Sequence, residues 1–283
     1  MQIGLRLHDS EKLEIESRLN VVKSQGFDCV HLALSKIEGL SADVDSLSPG
    51  YAMYLNHLFH NAGLDIAVLG NYLNLAHPDK DSLKAIQQKY VSHLRFASHL
   101  GCSVVGTETG APNPTYSYDK EACHSKWALD LFIENLKPVI EAAEKFGVIL
   151  AIEPVYKHIV WNPERARIVL DKIDSPNLQI IFDPVNLLHP DNLERRDQVI
   201  KEAIELLGPD ISIIHLKDYV MDNGEMKCLG CGFGQMNYEQ IIEFAVKKKP
   251  FIQATLENTT PDNAIKAREY IQELEKRYLE DLL

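Results

Sequence analysis

Four ionisable side chains stand at the ends of four apolar runs, and the chemistry their types suggest is metal binding. The run Gly147-Val-Ile-Leu-Ala-Ile-Glu153 closes on Glu153, Leu178-Gln-Ile-Ile-Phe-Asp183 on Asp183, Ile211-Ser-Ile-Ile-His215 on His215, and Phe251-Ile-Gln-Ala-Thr-Leu-Glu257 on Glu257. Brought to one point, the carboxylates would repel one another in a low-dielectric pocket unless a cation neutralises them or their pKa values shift far. One divalent ion resolves that conflict most simply. Oxygen donors with a single nitrogen suit Mn²⁺ first and Mg²⁺ next, with Co²⁺ and Zn²⁺ as alternatives, because carboxylate-rich sites favour harder ions.

The elements that would have to position these groups are short buried strands. Apolar runs bounded by turn residues and separated by helical patterns read as parallel strands covered on both faces. Strand signals fall at 3–8, 29–34, 65–70 and 102–106, then at the four runs above. Helical patterns fill the intervals, at 10–24, 51–61, 79–100, 120–146, from 163 onward, 192–207, 238–248 and 261–279. Alternate residues of a strand face the same side. Counting back from each terminal group puts Ala151 and Ile149, Ile181 and Gln179, Ile213 and Ile211, and Thr255 and Gln253 on the inner face. Separations of 30, 32 and 42 residues (153 to 183, 183 to 215, 215 to 257) match one strand–helix repeat each, the last lengthened by a glycine-containing loop near Gly230. Repeats of this kind over residues 1–283, with no break in composition, predict a single domain, a (β/α)8 TIM barrel of parallel strands whose site lies at the C-terminal rim. An open doubly wound sheet would want a glycine-rich phosphate loop after an early strand, and no G-x-G-x-x-G occurs there.

Composition narrows the partners. The formal net charge of −12 repels phosphate backbones, so no nucleic-acid partner is expected. No apolar stretch is long enough to span a bilayer, and no membrane partner is expected. The N-terminus runs straight into a strand-like segment without the apolar core of a secretory signal, and the 5 cysteines fit reduced thiols, so a cytoplasmic location is expected. A homo-oligomer is compatible with the sequence. Cys228 and Cys231 form a lone C-x-x-C in a glycine-rich loop and read as incidental thiols. Trp127 and Trp161 are expected in the core.

The motifs Ala-Ile-Glu153-Pro, Phe-Asp183-Pro-Val-Asn, Ile-His215-Leu-Lys-Asp and Leu-Glu257-Asn, with the segment Leu229-Gly-Cys-Gly-Phe-Gly234, resemble the sugar phosphate isomerase/epimerase proteins of the xylose isomerase-like TIM barrel superfamily. The resemblance covers essentially the whole chain. It implies that Glu153, Asp183, His215 and Glu257 hold the metal, and that Glu153 and Glu257 also act as the acid–base pair. The reaction implied is proton abstraction next to a carbonyl, through an enediolate, on a small-molecule sugar or sugar phosphate. The chain departs from the ketose 3-epimerase pattern at Asn186, where a histidine is common, and at Lys217 and Asp218, where an arginine follows the strand-seven histidine.

The expected substrate contacts are Arg6 and His8 at the end of strand one, Glu108 at the end of strand four, and His158, Asn186 and Lys217 beyond the ligand strands. Lys217 is expected to counter a substrate phosphate or an enediolate oxygen. Three other classes share the fold. A metal-dependent dehydratase of a sugar or inosose would begin with the same enolisation, and a non-catalytic sugar-binding barrel would stop at binding. An endonuclease IV-like nuclease needs further histidines where this chain has Asn71, Glu108 and Asn186, and the acidic net charge opposes DNA.

Overall fold

The computed structural model describes residues 1–280. Eight parallel strands close a barrel in the order β1 (Gln2–Arg6), β10 (Gln253–Leu256), β7 (Ile211–Leu216), β6 (Leu178–Phe182), β5 (Ile149–Glu153), β4 (Val104–Glu108), β3 (Asp65–Gly70) and β2 (Cys29–Leu32). Strands β8 (Asp218–Asp222) and β9 (Glu225–Leu229) form a separate antiparallel hairpin between β7 and the helix that follows it. The helices are α1 (Ile15–Ser24), α2 (Pro49–Asn61), α3 (Lys80–Leu100), α4 (Lys120–Cys123), α5 (Lys126–Phe146), α6 (Pro163–Ile173), α7 (Arg196–Leu207), α8 (Glu239–Lys248) and α9 (Ala264–Glu280). The expected single TIM barrel is the fold found; positions 281–283 of the expected domain lie outside the described residues. Among the described residues, no helix is long and apolar enough to cross a membrane.

Local chemistry sets the helix limits. Asp79 caps α3 by accepting the Ser82 N–H, and Gly101 ends it at a φ of 77°, a conformation glycine adopts without a Cβ penalty. The helix expected over 120–146 is interrupted. The Ser125 side chain accepts the Ala128 N–H and starts α5 afresh after α4 has stopped at Cys123. On α5 the apolar stripe begins at Ala128 and Leu129, so Trp127 falls outside it and is 60 % exposed, against the expectation of core burial. Strand β2 stops at Leu32, two residues earlier than expected, because Leu34 opens a turn of 3-10 helix.

Two layers of core position the rim. The outer layer packs the helices on the barrel wall; the inner one gathers Cys29, Ala67, Val68, Val104, Ala151, Ile181 and Ile213 inside it. Ala151, Ile181 and Ile213 face inward as expected. Ile211 instead joins the outer layer, next to a register shift between Ile180 and Ile181 opposite it. Parallel register then sets polar residues level at the C-terminal rim: Glu108 pairs with Glu153, Arg6 with His31, and Thr255 with His215.

Candidate metal centre

The four residues at the strand ends converge. Glu153 is the last residue of β5, His215 lies near the end of β7, and Asp183 and Glu257 directly follow β6 and β10. All are buried, with 5 % exposure at most. His215 sits between the two glutamates, its Nδ1 3.4 Å from Glu153 Oε2 and 3.3 Å from Glu257 Oε1. Ligand atoms of Glu153, Asp183 and His215 lie within 4.8 Å of one another, and so do those of His31, His215 and Glu257. His215 is the member the two groups share.

The donor set fits a divalent ion. Neither ring nitrogen of His215 has a hydrogen-bond partner, although both are buried and such groups are ordinarily satisfied. Two ligands each about 2.1 Å from one ion stand roughly 3.0–3.4 Å apart at angles near 90–110°. The separations of His215 from the glutamates fall in that range and exceed a good charge-assisted hydrogen bond.

Lys217 and Asn186 brace the acidic groups. The Lys217 ammonium lies 2.6 Å from Asp183 Oδ2 and 3.1 Å from Glu257 Oε2. Its charge is therefore shared between two of the four strand-end groups, and the side chain also lines a cavity at the rim. The Asn186 amide donates to Glu153 Oε1 at 2.5 Å, and its backbone N–H donates to Asp183 Oδ1 at 3.0 Å. Arg6 approaches Glu257 Oε2 to 3.4 Å while its Nε donates to Asp9 at 2.9 Å.

Burial and these charges pull the acid constants apart. Burial pushes the Asp183 carboxyl up to about 6, with Lys217 opposing and Glu153 reinforcing. Burial also acts to raise the Glu257 carboxyl, but Lys217, His215 and Arg6 outweigh it and hold the group below the usual carboxylate range. The Lys217 ammonium stays well above its ordinary value, since Asp183, Glu257 and Glu153 overcome the effect of burial. Burial pushes the His8 and His158 imidazoles down to about 4.

Glu153, Asn186, Lys217 and Glu257 floor this cavity of about 420 Å³, walled by Arg6, His8, Lys36, Tyr72 and Glu108. His158 does not line it. Its ring is stacked on Tyr116 at 5.1 Å and its Nδ1 stands 3.8 Å from Glu108 Oε2, so it meets the cavity only through that carboxylate. Tyr116 donates to the same oxygen at 3.2 Å.

Two neighbours of these groups were not expected from sequence. His31 on β2 stacks on His215, with centroids 5.1 Å apart, and Tyr72 lies 3.3 Å from the His31 Nε2. A signal for His31 existed: it is the one imidazole among the apolar residues of Cys29-Val-His-Leu-Ala-Leu34 and shares the parity of inward-facing Cys29. Tyr72 carries no such signal, because it follows the end of β3.

A family model described as xylose isomerase-like TIM barrel matches residues 19–278. The uncharacterized protein MJ1311 of Methanocaldococcus jannaschii is 24% identical over 230 residues, spanning 80% of this chain and 75% of that protein. Among solved structures, a D-tagatose 3-epimerase-like protein superposes with a TM-score of 0.77 at 21% identity, covering 100% of both chains. The IOLI protein, solved with a bound zinc atom, gives a TM-score of 0.68 at 15% identity over 98% of this chain and 99% of that one. At such identities the structural likeness establishes the fold.

Proposed function

Because this chain belongs to the xylose isomerase-like TIM barrel family, we propose that it is a metal-dependent isomerase or epimerase of a sugar or sugar phosphate, working by proton abstraction next to a carbonyl. The observation that carries this reading is the pair of buried glutamates, Glu153 and Glu257, set either side of His215 at the floor of a sugar-sized cavity. Glu153, Asp183, His215 and Glu257 would hold one divalent ion, Mn²⁺ or Mg²⁺ by their oxygen-rich donor set. When bound, the ion supplies a Lewis acid that polarises the carbonyl and balances charge developing on oxygen.

The chain's own groups do the proton work. Two strands, β7 and β6, separate β10 from β5 around the barrel, so the glutamates address a substrate from different sides. Glu257, held below the usual range, is ionised at neutral pH as a base must be. Asn186 ties down Glu153 Oε1 and leaves Oε2 toward His215. One glutamate removes the carbon-bound proton and the other delivers one, to the opposite face for epimerisation or to the neighbouring carbon for isomerisation. Lys217 and Arg6 hold Glu257 Oε2, which keeps its other oxygen facing the reacting centre. Glu108, His8 and Lys36 line the cavity and would meet hydroxyl or phosphate groups of the substrate.

The test is deuterium exchange in D₂O with Mn²⁺-loaded protein across a panel of ketoses, ketose phosphates and inososes. Exchange at the carbon beside the carbonyl is expected for at least one compound, and Glu153→Gln and Glu257→Gln should each lower it by about 10²–10⁴-fold. An unsaturated product that has lost a hydroxyl would assign a dehydratase instead. Binding without exchange across the whole panel would leave a sugar-binding barrel.

A further inference from the structure

We infer that His31 is a second imidazole ligand of the centre, binding through Nδ1 and giving the site a nitrogen donor from β2. This rests on the reading that Glu153, Asp183, His215 and Glu257 hold a divalent ion. His31 is 1 % exposed and lines the rim cavity. Its Nδ1 has no hydrogen-bond partner and lies 3.8 Å from Glu257 Oε1, too far for a hydrogen bond and near enough to share an ion. His31, His215 and Glu257 present ligand atoms within 4.8 Å of one another.

The surroundings orient the ring for this role. Its ring is stacked on that of His215, centroids 5.1 Å apart and planes 15° from parallel, which holds the two imidazoles next to each other at the rim. Tyr72 Oη stands 3.3 Å from His31 Nε2. With Nε2 carrying the proton and donating to that oxygen, the Nδ1 lone pair is free, the arrangement in which metal-bound histidines usually use their second nitrogen. Gly70 makes the fit possible, since a Cβ there would lie 2.4 Å from His31 Nε2 and 2.7 Å from the Tyr72 ring. A ring that merely filled space would not need a buried, unpaired nitrogen beside a carboxylate.

The consequence is selectivity. A second imidazole shifts the donor set toward Zn²⁺ and Co²⁺ relative to Mg²⁺ and Mn²⁺, because imidazole suits the former and carboxylate the latter. Competition titrations of purified full-length protein with Zn²⁺, Co²⁺, Mn²⁺ and Mg²⁺ read this directly. His31→Asn is expected to weaken Zn²⁺ and Co²⁺ by at least about tenfold while Mg²⁺ changes by less than about threefold. A residue that only positioned Glu257 would weaken all four alike, and that result overturns the inference. Because a buried substitution can disturb folding, pulsed electron paramagnetic resonance of Mn²⁺ bound to the unmodified protein gives an independent count of directly coordinated nitrogens. Two support the inference and one overturns it while leaving the four-residue centre standing. If the unmodified protein binds none of the four metals, the centre itself fails and this inference falls with it.

Discussion

Replacing Lys217 by methionine tests the electrostatics of the centre most directly. The ammonium stands 2.6 Å from Asp183 Oδ2 and 3.1 Å from Glu257 Oε2, 5 % exposed. At an effective dielectric near 20, two such contacts amount to gross attraction on the order of 10 kcal/mol, most of which offsets the desolvation of the three groups. What matters on substitution is the residue of that balance. Methionine fills a similar volume but leaves two buried carboxylates facing each other, a change that typically costs about 3–5 kcal/mol. Melting of the metal-free variant in chelator should therefore start roughly 10 °C lower than that of the unmodified protein. Divalent metal should then restore more stability to the variant than it adds to the unmodified protein. Saturation at about 100 times Kd contributes near 2.7 kcal/mol to either, and loss of the neighbouring positive charge tightens Kd further. The measurement is a pair of melting series, one in chelator and one across a Mn²⁺ titration. A variant as stable as the parent in chelator, or one that binds Mn²⁺ more weakly, would refute the claim that lysine and metal answer to the same carboxylates.

Two further outcomes are expected. Asp218→Ala removes a carboxylate that accepts the N–H groups of Tyr219, Gly232, Gly234 and Met236 at 2.8, 3.1, 3.0 and 2.8 Å; leaving them unpaired should destabilise the protein by about 2–4 kcal/mol and speed amide exchange at positions 232, 234 and 236. In the metal-free protein, His158 stays neutral down to about 4, whereas the unfolded chain protonates it near 6.5. Its folded value is depressed, so the stability it contributes is whole above about 6.5 and is lost as pH falls from there toward 4, by up to the order of 3 kcal/mol. Urea midpoints measured across that window should fall with pH, and His158→Asn should flatten the fall.

Much of the fold was legible because each strand–helix unit repeats one pattern. An apolar strand ends in a polar residue, and a capped amphipathic helix follows. What resisted reading was context. The hairpin of β8 and β9 runs through Asp218-Tyr-Val-Met-Asp and Glu225-Met-Lys-Cys-Leu, mixed sequences buried at Asp218 and Tyr219 and largely exposed beyond them, so no apolar period announces it. The break at Ser125 depends on one hydroxyl capturing the Ala128 N–H, which a continuous helical pattern conceals. Trp127 is as apolar as its neighbours, but it stands off the stripe that α5 turns to the barrel.

For the site, the chain alone determined which side chains end the last four inner strands, since parity along a strand is a local property and the rim is where such residues must emerge. It could not say who their neighbours are. His31 belongs to β2, more than a hundred residues before Glu153 in sequence, and meets His215 only because the barrel closes β2 onto β1 and β1 onto β10. Lys217, two residues beyond His215, turns back onto Asp183 and Glu257 while lining the cavity above them. Those encounters arise from closure and register, which depend on every strand at once.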